Sequence, residues 1–445
     1  VAHRPSSTKL FSHPLAYARH LHGLTQQELA RLLAEHLRGS GHRQKVARWE
    51  SGEAEPSMAA QVALAEIFHV PDERLSVLLW PSWLPMGELF HVEGVWSREN
   101  CHSLLDASGD LMLDRRGFVT LATGSAAILV QEWRSVGHTV PEFLDGTSED
   151  IALGFEGRLP WLRDLEDIHG GGRVRKFVDL ELQALSELLR QTGHGGAGGR
   201  RIFRLIADLC RIAGWASADT GYLAAAERYF VLGLRAARAG GDRLSGANLL
   251  KCMSLLLAEA SRPQDALLLA RSAVDATADA PPRVRAMLAV RQARVHAVLG
   301  ERDACERLLG RAETAMAEAE ADGQPCPDWA LYFDAAEYAA QVAACHLALG
   351  HFTVSDQWLE RTTRLQPASR QRDGITYRLW RAENAVRLGE VERACAHLTE
   401  AVPAIKNGFS TRNSTRFTQV RRLLHPYRGL PQVRDLDARA VSLLA

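Results

Sequence analysis

The chain has 445 residues, 46% of them hydrophobic, and its 53 basic side chains are matched by 53 acidic ones. That length and apolar content suffice for two or three packed cores, and the zero net charge excludes a protein held to polyanions by a global field. Seven cysteines, with no Cys-x-x-Cys pair and no histidine at zinc-ligand spacing, argue against a metal site or a disulfide framework and read as reduced core residues. Arginine outnumbers lysine 48 to 5, as a GC-rich genome dictates, and no signal sequence opens the chain, so a bacterial, cytoplasmic protein is expected.

Residues 1–12 are polar and basic and read as a disordered arm, with a reach to phosphate or a minor groove as the alternative. Leu15, Ala18 and Leu21 mark a first helix. Thr25 and Glu28 then form a capping box, flanked by Leu24 and Leu29 as a hydrophobic staple, so a helix starts at Gln26 and buries Leu29, Ala30, Leu33 and Leu37. Gly39-Ser40-Gly41 breaks it. A second helix from about His42 turns Val46 and Trp49 inward and leaves Arg43, Gln44, Ala47 and Arg48 outward, with Gly52 as its C′ residue. Arginine can bond guanine O6 and N7 together, and glutamine can do the same for adenine N6 and N7, so this face carries the side chains a major groove requires. Local charge agrees: residues 1–48 hold eight Lys or Arg against Glu28 and Glu35 alone.

Leu24-Thr25-Gln26-Gln27-Glu28-Leu29-Ala30, Val46-Ala47-Arg48-Trp49-Glu50-Ser51-Gly52 and Pro56-Ser57 together resemble the Cro/C1-type (XRE) helix-turn-helix family. The resemblance implies that Gln26 meets a phosphate and that Arg43, Gln44 and Arg48 approach base edges, with Arg38 and Lys45 completing the DNA-binding set. The connection from Leu33 to Val46 is longer than the family pattern by roughly six residues, which loosens the register of the base-reading side chains. Ser57 caps a further helix whose Val62, Leu64 and Ile67 complete the small core, and Pro71 to Leu79 is a fifth helix. Residues 1–80 are thus expected to be one DNA-binding domain.

Residues 81–170 read as a helical linker in which Trp96, Trp133 and Trp161 anchor the segment to its neighbours. Asp114-Arg115-Arg116-Gly117-Phe118-Val119 and the apolar run to Val130 are similar to a twin-arginine signal, but the run is too short to span a bilayer and reads as a buried helix. Gly170 to Gly172 and Gly193 to Gly199 punctuate the chain beyond the linker. The second cluster contains Gly-x-Gly-x-x-Gly, yet helical sequence precedes it where a dinucleotide fold needs a strand, so it reads as a loop.

Residues 175–192 form one helix at the front, and from about residue 200 the pattern repeats. Second helices carry Ala225, Tyr229, Leu232; Ala266, Ala270, Ala273; Cys305, Leu309, Ala312; Ser355, Leu359, Thr362; and Ala394, Leu398, Ala401. Twelve residues before each first member stand Ala213, Ser254, Ala293, Ala343 and Ala382, so both helices of a pair present small residues and can approach closely. Turns fall at Thr220, Ser261, Gly300, Gly350 and Gly389. Thr415 to Leu424 and Val433 to Leu444 read as a closing pair. The layout resembles tetratricopeptide repeats, most closely at Gly350, Phe352, Leu359 and Pro367, although the repeat steps of 41, 39, 50 and 39 are longer than that family's and place loops at Asp279 to Pro282 and Asp322 to Pro327.

An all-α chain is therefore expected: a five-helix DNA-binding domain, a helical linker, and a tetratricopeptide-like α-solenoid over 171–445. This arrangement resembles actinobacterial helix-turn-helix regulators with tetratricopeptide repeats and, in architecture, the peptide-sensing quorum regulators of other Gram-positive bacteria. The resemblance implies a regulator that binds double-stranded DNA as a homodimer and takes a signalling peptide or small molecule on the inner side of its first helices, where Asn248, Lys251, Arg291, Arg294 and Gln341 fall. The other reading is a protein-interaction adaptor with DNA binding secondary. No Gly-x-Ser-x-Gly, His-Glu-x-x-His or phosphate loop suggests catalysis, and no cofactor, metal or membrane is expected.

Overall fold

The computed structural model describes residues 14–21, 24–37, 42–51, 53–68, 70, 80, 84, 96–111, 125–134, 152–169, 171–193, 195–322, 325–367, 370–406 and 410–444. Among these residues the regular structure is helical throughout, with no strand, and no helix is long and apolar enough to cross a membrane. The basic arm, Arg38, Gly39 to Gly41, Gly52, the fifth helix at 71–79 and the Asp114 to Val119 motif lie outside the described residues.

The first four helices are α1 (Pro14–Leu21), α2 (Gln26–Leu37), α3 (Arg43–Glu50) and α4 (Met58–Ile67). Both halves of the capping box form: Thr25 N donates to Glu28 Oε2 at 2.7 Å and Glu28 N to Thr25 Oγ1 at 3.2 Å. Ser57 accepts from Ala60 N and starts α4. Leu15, Leu29, Leu33, Val46, Trp49 and Leu64 make one core, each apolar side chain of that size contributing about 1.5–3 kcal/mol on burial. Two expected core members face solvent instead: Leu37 is 41% exposed and Val62 40% exposed. Leu37 lies at the end of α2, past the last turn covered by α3 and α4, and on α4 the small residues Ala60 and Ala63 take the inner positions.

Helices α5 (Arg98–Leu111), α6 (Ser125–Arg134) and α7 (Leu159–His169) share one continuous core with helices further along the chain. Trp96 and Trp133 are buried in it as anchors. Trp133 seats against Gly246, where an added methyl would lie 2.8 Å from Cε2 of the indole. Trp161 is no anchor: it is 50% exposed and packs edge-on with Phe177, itself on the surface. The second glycine cluster is a loop only in part, at Gly193 and Gly195. Gly171 and Gly172 open α8 (Gly171–Thr192), and Gly196, Gly198 and Gly199 lie in the first turn of α9 (Gly196–Asp219), where packing below overrides weak helix propensity.

After α9 the chain runs through α10 (Leu223–Ala239), α11 (Arg243–Glu259), α12 (Pro263–Asp275), α13 (Pro282–Val298), α14 (Arg302–Asp322), α15 (Ala335–Ala348), α16 (Phe352–Leu365), α17 (Gln371–Arg387), α18 (Val391–Lys406), α19 (Thr411–Leu423) and α20 (Pro431–Leu444). Consecutive helices pack as antiparallel pairs from α9/α10 to α17/α18, and α9, α11, α13, α15, α17 and α19 stack side by side. Every residue of the small columns is buried, Ala213, Ser254, Ala293, Ala343 and Ala382 all at 0% exposure. The approach is close enough for a hydroxyl to cross it: Ser254 Oγ donates to the carbonyl of Ala266 at 2.8 Å, and Ser355 Oγ to that of Ala343 at 3.0 Å. Each pair turns on one residue of positive φ, namely Gly221, Ser261, Gly300, Gly350 and Gly389.

The row of first helices does not stay open. Ser410 Oγ, just before α19, donates to Asp219 Oδ1 at the end of α9 at 2.7 Å, Thr411 Oγ1 donates to the carbonyl of Thr220, and Arg412 Nε donates to Glu259 Oε1 at 2.8 Å. Residues 153 to 191 positions apart thus join the start of α19 to the ends of α9 and α11, and α7 packs on α17.

Candidate functional site

Two places concentrate polar chemistry. The first is the outer face of α3. Val46 (1% exposed) and Trp49 (9%) fix the helix to the core, so its other side presents Arg43, Gln44, Lys45 and Arg48, all exposed. Arg48 makes a surface ion pair to Glu53 at 3.8 Å, which adds little. Beneath this face runs a network that sequence alone did not disclose. Arg19 on α1 meets Glu50 at 2.6 Å with both side chains largely buried, and Arg19 Nη1 also donates to the carbonyl of Leu24 at 2.7 Å. Gln26 Nε2 donates to Glu50 Oε2 at 2.7 Å, while Gln26 Oε1 accepts from Arg43 Nε at 3.2 Å. The amide of Gln26 therefore links Glu50 to Arg43 and orients the Arg43 side chain.

The second place is a chamber of about 160 Å³ inside the ring of first helices. All five inner-face residues expected to meet a ligand line it: Asn248 and Lys251 on α11, Arg291 and Arg294 on α13, and Gln341 on α15. The small columns explain why. Positions two residues before the small residue of each first helix are Arg211, Cys252, Arg291, Gln341 and Trp380, and all five line the chamber. A larger compartment of about 430 Å³ adjoins it and shares Arg291, Arg294 and Arg412 as walls.

The chamber was only partly legible in advance. Trp215, Trp329, Tyr332, Tyr377 and Trp380 give it an aromatic lining, and Arg211, Arg372, Arg412 and Arg163 extend its basic character. Trp329 and Tyr332 come from the segment between α14 and α15, where the repeat step lengthens to 50, so this insertion is a wall of the chamber rather than a bare loop. The column offset would have found Arg211 and Trp380; nothing periodic marks Trp329 or Tyr332.

Electrostatically the chamber is positive. Seven basic side chains face it against Asp328, Glu337 and Asp373. Some are paired nearby, Arg163 with Asp208 at 3.7 Å and Arg412 with Glu259 at 2.8 Å. Burial raises the pKa of Glu259, but Arg412, with Arg294 and Arg416 behind it, outweighs burial and leaves the carboxyl below its usual range. Arg211, Lys251, Arg291 and Arg294 have no carboxylate oxygen within 4.0 Å among the described residues. Burial, and then repulsion from Arg291, pushes Arg294 down to about 10; it stacks 5.2 Å from the centre of Trp380 and donates to Gln341 Oε1 at 2.8 Å. Lys251 Nζ donates to Tyr332 Oη at 2.9 Å. On the acidic side, burial followed by the Asp373 charge raises Glu337, which accepts hydrogen bonds from Tyr377 and Gln341. Buried wall atoms without a hydrogen bond include Nε of Arg211, Nε of Arg291 and Oδ1 of Asn248. Among the described residues no cluster of His, Cys, Asp and Glu could hold a metal ion.

Comparison with protein-family models, with curated proteins and with solved structures finds no match for this chain.

Proposed function

We propose that this chain is a transcriptional regulator that reads double-stranded DNA with α3 and receives a signal in its helical repeats. On this reading α2 and α3 form a Cro/C1-type helix-turn-helix, and α8 to α20 form a tetratricopeptide-like solenoid that also carries a homodimer contact. The observation that carries the reading is the outer face of α3: Arg43, Gln44, Lys45 and Arg48 stand exposed on a helix whose opposite side is fixed by Val46 and Trp49. Arg and Gln at such positions give bidentate base contacts, Lys adds phosphate affinity, and two copies supply half-sites about one helical turn apart.

The test is to sequence genomic fragments retained by the purified full chain at moderate salt, then to compare Arg43→Ala and Gln44→Ala on the recovered site and on scrambled DNA. Loss of a bidentate contact costs about 1–3 kcal/mol on the recovered site alone. Random retention, or equal loss on both DNAs, refutes base reading.

A further inference from the structure

We propose that the chamber inside the helix ring binds a small organic anion, a carboxylate or phosphate ester on a planar apolar body that also bears a hydrogen-bond donor. The proposal rests on the reading that the repeats receive a signal, and it narrows that signal from an extended peptide to a compact molecule. Three observations support it independently of any resemblance.

The first is unbalanced charge. Arg211, Lys251, Arg291 and Arg294 face one space without a carboxylate oxygen within 4.0 Å among the described residues, although Lys251 is only 5% exposed. Buried cations are ordinarily paired at contact distance, whereas Lys251 and Arg294 reach the neutral acceptors Tyr332 Oη and Gln341 Oε1, which do not cancel their charge. The second is unmet hydrogen bonding. Asn248 is 2% exposed and its Oδ1 has no donor, while the Nε atoms of Arg211 and Arg291 have no acceptor. Two N–H groups among four cations call for an anionic acceptor; a carbonyl oxygen calls for a hydroxyl or N–H on the same molecule.

The third is shape. The rings of Trp215, Trp329, Tyr332, Tyr377 and Trp380 give the chamber flat apolar walls, which suit a planar body. Its volume is about 160 Å³, and α19 closes onto α9 through Ser410 and Asp219, so the inner face is no open trough for a chain. A five-residue extended peptide spans about 17 Å, longer than the space of about 160 Å³ between these rings accepts without running on into the adjoining compartment.

The experiment is calorimetric titration of the full chain with 6-hydroxy-2-naphthoate, 6-hydroxy-2-naphthyl phosphate, 2-naphthol and inorganic phosphate. At least one naphthyl anion is expected to bind with one site per chain, the two anions separating a carboxylate preference from a phosphate preference. 2-Naphthol, which keeps the donor and loses the anion, should bind at least about tenfold more weakly, and inorganic phosphate alone should not saturate. Lys251→Met with Arg291→Gln should weaken the anion at least about tenfold, whereas Arg271→Gln in a separate basic pocket leaves it unchanged. No binding of either anion at millimolar concentration, equal affinity for 2-naphthol, or full affinity in the folded double variant overturns the proposal. Should the double variant not fold, the comparison with 2-naphthol on the parent chain still decides. The regulator reading is separable: a sharp genomic site without anion binding removes this proposal alone, and anion binding with random DNA retention removes that reading alone.

Discussion

Replacing Glu50 with alanine tests how α3 is held, and the contacts set the magnitude. Glu50 receives Arg19 Nε at 2.6 Å and Arg19 Nη2 at 3.3 Å through its two oxygens, and Gln26 Nε2 at 2.7 Å besides. The Arg19 and Glu50 side chains are 13% and 8% exposed, so the pair is screened little by water. Removing one member leaves the other charge buried and unpaired, at a cost of about 3–5 kcal/mol. A domain of this size has roughly 5 kcal/mol of stability in all, so the loss should bring local unfolding of α1 to α3 within reach at room temperature. Hydrogen exchange read by mass spectrometry reports it: amides of α2 and α3 lose protection in Glu50→Ala and in Arg19→Ala, while those of α9 to α18 do not change. The double variant Arg19→Met, Glu50→Met removes both charges and should recover most of the protection, because an apolar replacement of a buried pair is close to neutral. If the double variant exchanges as fast as either single one, burial of an orphaned charge is not what destabilises the single variants. If all three keep parental protection, the network does not hold α3.

Three further outcomes are expected. Ser261 has φ 60° and is the one described non-glycine residue in the left-handed region, so Ser261→Gly should raise the melting midpoint by the equivalent of about 0.5–1 kcal/mol; a variant Ser261→Ala as stable as Ser261→Gly contradicts that account. Gly246→Ala should lower the midpoint, since overpacking against Trp133 costs about 1–3 kcal/mol and outweighs the gain in helix propensity; a rise would show that the indole has room to move. Burial pushes Asp208 from 3.8 up to about 6, with Arg163 opposing. A raised carboxyl pKa means the folded chain keeps a proton the unfolded chain has released. This group's contribution is therefore fully present below pH 3.8 and lost as pH rises to about 6, and Asp208→Asn should abolish its share of that decline in urea midpoints.

The repeats were legible because close helix packing imposes a rule on single positions. Two helices that approach closely enough for Ser254 Oγ to reach the Ala266 carbonyl admit only small side chains at the crossing, so the columns could be read from residue size alone. The same columns then fix which side of each first helix faces inward. That is why Asn248, Lys251, Arg291, Arg294 and Gln341 fall on one chamber, and why Arg211 and Trp380 conform to the same offset. The face of α3 was legible for a similar reason, since Val46 and Trp49 lie three apart and orient everything between them. Trp161 misleads because its aromatic type suggests an anchor, and type does not say which side of α7 is covered. The bond from Gln26 to Glu50 was not legible, because the two residues are twenty-four positions apart on different helices, beyond any local pattern.

Closure of the ring was not legible, and the reason is geometric. A repeat pattern specifies how each pair sits on the next; where the sixth first helix arrives depends on small rotations summed over every step, and these are set by packing details rather than by the columns. The long step that carries Trp329 and Tyr332 breaks the regular rise just before α15, and beyond it α19 meets α9 instead of passing it. Arg412 sits at the join. Its guanidinium bonds Glu259 on α11 at 2.8 Å, lies 5.3 Å from the centre of the Trp215 ring on α9, and lines the chamber. One side chain on the last first-helix therefore completes both the seam and the wall, so whatever changes the charge balance of the chamber acts on the contact that keeps the ring shut. In an open solenoid the same inner residues would face bulk water, and their positive charge would be screened by ions rather than concentrated in an enclosed space.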